Sequence, residues 1–224
     1  MKSYQVGISV LTENIPEEVV NRFFRSVEFD AKPRVSYVLL PISNKTVNMY
    51  TEYNGKTYFN RNKGHNFGIK TLASICEIII CADIDLLIPE GYIDTSYYSA
   101  IRNVPLSGVM RNIEKYESIE PRRWFSWMRN HRRDHAFGPW NALKAEHWYK
   151  IGGWNENLFS WGMDIHMWKR IKRKFPNAIR YDERPLMHVH HPKRNKPIKD
   201  IAPEVKRKVE QTINMNFLEE KHTL

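Results

Sequence analysis

The sequence predicts an α/β fold in which the strands of a sheet alternate with helices. Short apolar, β-branched segments recur along the first half of the chain, separated by segments with helix signals, and this alternation is typical of parallel β-α units. The chain has 224 residues, of which 42% are hydrophobic, so it is long enough to bury the core of one domain. We therefore expect a single domain over residues 1–200, followed by a helical tail over 201–224.

The first half of the chain contains the clearest elements. Pro16, followed by Glu17 and Glu18, is a helix-start signal, because proline suits the first turn and acidic side chains favour the helix N-terminus. The strongest predicted strand ends directly on Asp83-Ile84-Asp85. In an open sheet, ligands bind beyond the carboxyl ends of the strands, so we expect these aspartates at a binding site. The predicted strands are 6–11, 35–40 (ended by Pro41), 57–59 and 77–82, and the predicted helices are 17–27 and 64–74.

The second half of the chain is less regular. Residues 111–135 hold many arginines together with Trp124, Phe125 and Trp127, and they show no clear periodicity, which predicts a long loop. The predicted helices are 144–150, 164–175 and 203–218, and the predicted strands are 179–181 and 186–190.

Composition restricts the class of protein and its partners. The net charge is +10 and the pI is about 9.5, which favours anionic partners such as a nucleotide, a nucleic acid or a lipid surface. Cys76 and Cys81 give neither a disulfide framework nor a CxxC metal pair. The N-terminus lacks the apolar core of a signal peptide, and no transmembrane segment is expected. A cytoplasmic location is the simplest interpretation, with peripheral association at a membrane surface as an alternative.

Asp83 and Asp85 are candidate metal ligands. Two carboxylates at positions i and i+2 can meet one divalent cation, and Mg²⁺ or Mn²⁺ accepts such oxygen ligands while leaving positions for phosphate oxygens. An Asp-x-Asp tripeptide also occurs by chance in many loops. Near the C-terminus, His188, His190 and His191 supply imidazoles that suit the coordination shell of Mn²⁺, although a surface position is the alternative explanation for each of them.

Several motifs together resemble the β-1,4-galactosyltransferase family of GT-A glycosyltransferases, whose other large branch is the family-2 enzymes. The motifs are collinear over residues 57–195. The resemblance implies a GT-A (Rossmann-like) fold, a mixed sheet flanked by helices, with a donor half over about 1–112 and an acceptor half over about 113–195. The similar blocks are Phe59-Asn60-Arg61, Asn66-Phe67-Gly68 and residues 83–89 on the donor side, and residues 137–144, residues 151–156 and Trp161-Gly162-Met163-Asp164 on the acceptor side.

The resemblance also implies roles for individual residues. Asp83 would contact the ribose and a metal-bound water, and Asp85 would ligate Mn²⁺ or Mg²⁺. His190 is placed like the metal histidine of the family, with Met187 as a further ligand and His188 as a competitor. The other donor contacts would come from Thr12, Phe59, Arg61 and Asn66, and the sugar contacts from Gly153, Trp154 and Trp161.

Asp164 is the residue that the resemblance assigns as the catalytic base. An inverting transfer needs a carboxylate that takes the proton from the acceptor hydroxyl as it attacks, and the dipole at a helix start favours the ionised form. A plain helix-capping role is the alternative. Met163, Ile165 and His166 stand where the family has acidic residues that bind the acceptor sugar. The acceptor is therefore the least defined part of the prediction.

Three functions are compatible with the sequence. The first is an inverting, metal-dependent transfer of a hexose from a UDP-sugar to a saccharide acceptor. The second is the same chemistry on a hydroxylated base in DNA, because residues 122–133 interleave arginine with aromatic side chains. For that segment a loop that closes over the donor is the favoured interpretation, and a solvated loop is a further alternative. The third is a non-catalytic binder of nucleic acid or of an anionic membrane surface, built on a decayed transferase fold.

Overall fold

The structure is a computed structural model that describes residues 2–113, 135–159 and 163–189. Strands and helices alternate over most of this length. The strands are β1 (Tyr4–Leu11), β2 (Tyr37–Ile42), β3 (Tyr50–Tyr53), β4 (Lys56–Phe59), β5 (Cys76–Ala82), β6 (Leu86–Leu87), β7 (Leu106–Ile113), β8 (His135–Lys144) and β9 (Ile179–Val189). The helices are α1 (Glu17–Arg25), which continues into a π-helical turn at Ser26–Asp30, α2 (Arg61–Leu72), α3 (Tyr92–Ile101), α4 (Ala145–Lys150) and α5 (Met163–Lys174).

Within the described ranges, seven strands form one mixed sheet in the order β2-β1-β5-β8-β7-β9-β6, and β3 and β4 form a separate hairpin. β1 lies parallel to β2 and β5, with Val10 opposite both Pro41 and Ala82. β8 runs antiparallel between β5 and β7, and β6 runs antiparallel to β9. The predicted α/β fold with a mixed sheet is confirmed. The carboxyl ends of β1 and β5 lie side by side at one edge of the sheet.

Helices cover both faces of the sheet. Ile80 of β5 packs with Phe23 of α1 and with α3 in one buried cluster. Ile79 of the same strand packs with Trp148 of α4 and Met167 of α5 in another. Alternate residues of β5 therefore point to opposite faces, and both faces are buried, which explains the continuous apolar sequence that predicts this strand.

Most of the predictions as far as the end of β5 are confirmed, with two differences. Pro41 does not end β2, contrary to prediction; it pairs with Val10 inside an edge strand, where a missing N–H is tolerated. The strand β3 is absent from the sequence prediction. Its connection to β4 is formed by Asn54 and Gly55, whose φ angles are +48° and +69°, and this Asn-Gly pair is a hairpin signal that the sequence does contain.

The part of the chain after β5 differs more from the prediction. The elements β6, α3, β7 and β8 are not predicted, whereas α4 and α5 are confirmed. The predicted loop at 111–135 is wrong at both ends, because residues 111–113 belong to β7 and residue 135 to β8; residues 114–134 lie outside the described ranges. β9 covers both predicted short strands as far as Val189. Its pairing with β7 passes from Tyr181 directly to Leu186, and the two paired stretches correspond to the two predicted strands.

The predicted tail and its helix at 203–218 also lie outside the described ranges. Among the described helices, none has both the length and the apolar character required to cross a bilayer.

Candidate active site

The candidate site lies at the end of β5, where Asp83 follows the last residue of the strand. The backbone N–H of Asp83 donates to the carbonyl of Pro139 in β8 at 2.8 Å, so two neighbouring strands fix its position. Thr12 follows β1 at the same edge of the sheet, and its N–H and hydroxyl both donate to the carbonyl of Ile42, at 2.8 and 3.2 Å. The parallel pairing thus brings two of the predicted donor-site residues to one edge.

Arg61 joins Asp83 to Asp164, the predicted base. It is the first residue of α2. Its Nη1 donates to Asp83 Oδ1 at 3.2 Å, and its Nη2 donates to Asp164 Oδ1. The guanidinium also lies 5.4 Å from the ring centroid of Trp154, which is within cation–π distance. One side chain therefore contacts residues from both the predicted donor half and the predicted acceptor half.

Burial and charge shift the proton affinities in this cluster. Burial raises the pKa of Asp83 to about 7; Arg61 opposes this shift, and Asp85 and Asp164 add to it. Burial alone would lower the pKa of Arg61, but Asp164 and Asp83 hold it above its ordinary value. The pKa of His65 lies well below its ordinary value because the imidazole is buried and close to Arg61. Arg61 is therefore the cation that balances these carboxylates, and His65 is neutral.

Asp85 pairs with His188 because of the register of two strands. β6 runs antiparallel to β9 with Leu86 opposite His188, and His188 Nε2 lies 3.1 Å from Asp85 Oδ2. Met187 alternates to the opposite face of β9 and is buried, 2% exposed. The structure thus brings His188, and not Met187, to Asp85. His190 lies outside the described ranges.

The pair formed by Asp85 and His188 has the chemistry of a partial metal site. A carboxylate oxygen beside an imidazole nitrogen suits a borderline cation such as Mn²⁺, and both side chains are partly exposed. In the part of the chain that the structure describes, no three His, Cys, Asp or Glu side chains are grouped so as to hold a metal ion. The two residues would therefore supply part of a coordination shell and leave positions for other ligands.

Asp164 lies in the first turn of α5 with 35% of its side chain exposed. It packs against Gly138 of β8, where a Cβ atom would lie 2.4 Å from the Cβ of Asp164 and where φ is +100°. Only glycine permits this approach, because a methyl group would overlap the aspartate and an L residue would be strained. The carboxylate is also bonded to Arg61, a contact that a helix-capping role does not require.

Two buried asparagines of α2 hold the loop that connects α4 to α5. Asn62 Nδ2 donates to the carbonyls of Asn155 and Leu158, at 2.8 and 3.0 Å. Asn66 exchanges two hydrogen bonds with the backbone of Trp154, each of 2.8 Å. Asn66 thus fixes the ring that lies against Arg61, and its predicted contact with the nucleotide stays a prediction.

Further polar contacts hold the same loop. Asn60 Nδ2 donates to the carbonyl of Glu156 at 2.7 Å, and Arg170 Nη1 of α5 donates to the carbonyl of Gly153 at 2.6 Å. Asn60, Asn62, Gly138 and Arg170 have no predicted role in the site. Asn60 alone has a signal in the sequence, since an asparagine before a helix is a common N-cap and its side chain accepts from the N–H of Asn62.

Phe59 and Trp161 complete the predicted set. Phe59, at the end of β4, is half-buried beside Tyr50, with 5.9 Å between ring centroids, and it packs on a small apolar cluster that includes Met49. Its predicted contact with the nucleotide is not tested by this packing. Trp161 lies outside the described ranges.

Comparison with known structures finds a similar fold in several glycosyltransferases. The catalytic domain of Drosophila β1,4-galactosyltransferase 7, in complex with xylobiose, is similar with a TM-score of 0.60 and 15% identity, over 97% of this chain and 84% of that one. A mutant of that enzyme in complex with manganese, UDP-Gal and xylobiose gives a TM-score of 0.52 and 15% identity, over 84% and 71% of the two chains. A fragment of S. aureus TarS in complex with UDP-GlcNAc gives 0.60 and 11%, over 93% and 65%.

The chain has the GT-A glycosyltransferase fold. No protein-family model matches the sequence, and no curated protein matches it significantly. Within this GT-A fold, Arg61 is bonded to Asp83 and Asp164, Asp85 pairs with His188, and the charge of Asp85 acts on both Asp83 and Arg61, so these five residues form one cluster of interacting charges. Because the identities are low, the similarity establishes the GT-A fold, and the activity has to follow from the residues of this cluster.

Proposed function

We propose that the protein is an inverting, divalent-metal-dependent glycosyltransferase that moves a hexose (Gal, Glc or an N-acetylhexosamine) from a UDP-sugar to a hydroxyl of a saccharide. One observation carries the proposal: Arg61 joins Asp83, at the end of β5, to Asp164, at the start of α5. Asp85, which pairs with His188, acts electrostatically on both Arg61 and Asp83. The residues proposed to bind the metal and diphosphate and the proposed base would thus belong to one site. The compounds named in the similar structures, UDP-Gal, UDP-GlcNAc, manganese and xylobiose, are of the same classes.

The donor would bind at the edge formed by β1 and β5. Asp85 and His188 would hold Mn²⁺ or Mg²⁺, with His190 as a further candidate ligand. When bound, the metal neutralises the charge that develops on the leaving diphosphate. Asp83 and Thr12, which share this edge, would contact the ribose and the nucleotide, together with Phe59 and Asn66; the resemblance assigns Arg61 to the same group, and its role is taken up below.

Asp164 would act as the base toward the acceptor. The acceptor hydroxyl attacks the anomeric carbon as the bond to the diphosphate breaks, and its proton passes to the carboxylate of Asp164. The partial exposure of Asp164 leaves its carboxylate accessible to a hydroxyl group, and the absence of a side chain at Gly138 makes room for the aspartate itself. Gly153, Trp154 and Trp161 are the proposed sugar contacts.

A saccharide acceptor is favoured over a nucleic acid or an anionic membrane. The two alternatives depend on residues 122–133 and on the basic tail, which lie outside the described ranges, so no contact among the described residues supports them. The saccharide proposal has the support of the fold and of the xylobiose that a protein of similar fold binds.

The decisive experiment measures UDP release from a panel of UDP-hexoses, with saccharide acceptors, in Mn²⁺ and in EDTA. We expect acceptor-dependent release in Mn²⁺ and loss of activity in EDTA, in Asp85→Ala and in Asp164→Asn. Asp182→Asn is the matched control, since Asp182 is an exposed carboxylate of β9 away from the site. The proposal is wrong if no UDP-sugar binds or turns over, or if both site variants behave like the wild type. Transfer to hydroxymethylated DNA with none to saccharides would establish the alternative acceptor.

A further inference from the structure

Arg61 occupies an unusual position between the two halves of the site. Its side chain is only 15% exposed, and its guanidinium is bonded to Asp83 on one side and to Asp164 on the other. Asp83 is 22 positions away in the sequence and Asp164 is 103 positions away. The same guanidinium lies against the ring of Trp154, whose backbone is fixed by Asn66. A single buried cation thus connects the end of β5 to the start of α5.

The geometry gives Arg61 a task that differs from binding the nucleotide. A guanidinium is planar and offers several N–H donors in a fixed fork, so it can hold two carboxylates at a defined separation. The hydrogen bond engages Oδ1 of Asp164, which leaves Oδ2 to accept a proton. A base works only when it lies within hydrogen-bond reach of the attacking hydroxyl, and small displacements of a reacting group are costly.

We propose that Arg61 is a positioning residue that acts through Asp164. Its two hydrogen bonds fix the carboxylate of Asp164 relative to Asp83 at the end of β5. The proposal depends on the proposed transferase function. It differs from the role that the resemblance implies, in which Arg61 is a direct ligand of the nucleotide. The two roles predict different kinetics, because a donor ligand affects nucleotide affinity, whereas a positioning residue affects turnover at saturating donor.

The first measurement compares Arg61→Lys and Arg61→Ala with the wild type. Lysine keeps the charge, but one ammonium group cannot span both carboxylates. We expect the Kd for UDP with Mn²⁺ to stay within about threefold, while kcat falls on the order of 100-fold in Arg61→Ala and less in Arg61→Lys, as for partial loss of a general base. Arg102→Ala is the control, since Arg102 is exposed at the end of α3. If Arg61→Ala does not fold, Arg61→Lys carries the same comparison.

The second measurement places Arg61→Ala or Arg61→Lys in an Asp164→Asn background, using a sensitive single-turnover assay. A residue that acts only through Asp164 has no further effect once that carboxylate is gone. We therefore expect the double variant to retain the rate of Asp164→Asn within about twofold.

Two results would overturn the proposal. One is a rise of tenfold or more in the Kd for UDP with kcat retained, which makes Arg61 a donor ligand. The other is an equal loss of rate in the wild-type and Asp164→Asn backgrounds, which makes its effect independent of the base. Failure of the transferase function looks different, since the wild type itself would then neither bind UDP with Mn²⁺ nor turn over any donor, and both proposals would fall together.

Discussion

Asn62→Ala is the substitution that tests how the acceptor side of the site is fixed. Asn62 is 1% exposed, and its Nδ2 is the donor to two backbone carbonyls of the loop between α4 and α5, those of Asn155 and Leu158. That loop also carries Trp154, which lies against Arg61. Removal of the amide therefore deletes two of the hydrogen bonds that hold the loop to α2, without touching any residue proposed to bind substrate.

The size of the effect follows from the partners that remain. The carbonyl of Asn155 also accepts the N–H of Leu158, so it keeps one hydrogen bond, and the carbonyl of Leu158 loses its side-chain donor. A buried group left without a partner costs about 1–3 kcal/mol, and a second lost hydrogen bond costs about 1 kcal/mol. Two smaller terms act in the opposite direction. Asn62 Oδ1 is buried without a hydrogen-bond partner among the described residues, and alanine is the better helix former by about 0.5 kcal/mol. We expect a net loss of about 2 kcal/mol.

The assay is urea unfolding of Asn62→Ala, with Asn21→Ala as the matched control. Asn21 is an exposed asparagine inside α1, so its replacement changes helix propensity without breaking a buried contact, and we expect its free energy of unfolding to stay within about 0.5 kcal/mol of the wild type. Asn62→Asp should be at least as destabilising as Asn62→Ala, because it sets carboxylate oxygens against carbonyl oxygens. The reasoning fails if Asn62→Ala and Asn21→Ala unfold at the same urea concentration with unchanged m-values.

Three further predictions concern single positions. Gly138→Ala should lower kcat at least about tenfold while UDP binding persists, because the new Cβ would lie 2.4 Å from that of Asp164; steady-state kinetics and calorimetry check it. His188→Ala should raise the Mn²⁺ concentration needed for half-maximal activity, and unchanged metal dependence would exclude His188 as a ligand. Gly55→Ala should cost about 1 kcal/mol from its positive φ alone, since nothing lies within 4 Å of its Cβ position; thermal unfolding measures this.

The sequence predicts best the strands that are buried on both faces of the sheet. β5 is apolar from Ile78 to Ala82 because both faces of the central sheet are covered, so it is visible in the sequence without any partner. The same holds for β1, and it explains why the two aspartates after β5 are correctly expected at a strand end. The helices α1 and α2 are also predictable, the first from the proline and acidic residues at its start.

β8 could not be predicted in the same way. It begins with His135 and contains Gly138, Pro139 and Asn141, which are typical of turns. Its strand conformation comes from pairing with β5 on one side and β7 on the other, and such tertiary pairing overrides local preference. A glycine is required at position 138 because a side chain there would overlap Asp164, which is distant in the sequence.

The candidate site shows the same contrast between residues that a local motif identifies and contacts that only the fold creates. Motif resemblance identifies Asp83, Asp85 and Asp164 one at a time, because each stands in a recognisable block. The contact that unites two of them, through Arg61, depends on where α2 begins relative to β5 and α5, and no spacing in the sequence encodes it. The pairing of Asp85 with His188 likewise depends on the register of β6 and β9. A shift of that register by one residue would turn the imidazole to the opposite face and bring Met187 to the aspartate instead. The choice of His188 over Met187 as the proposed metal ligand therefore follows from strand pairing, and substitutions that loosen β6 against β9 should alter metal affinity even where every proposed ligand is retained.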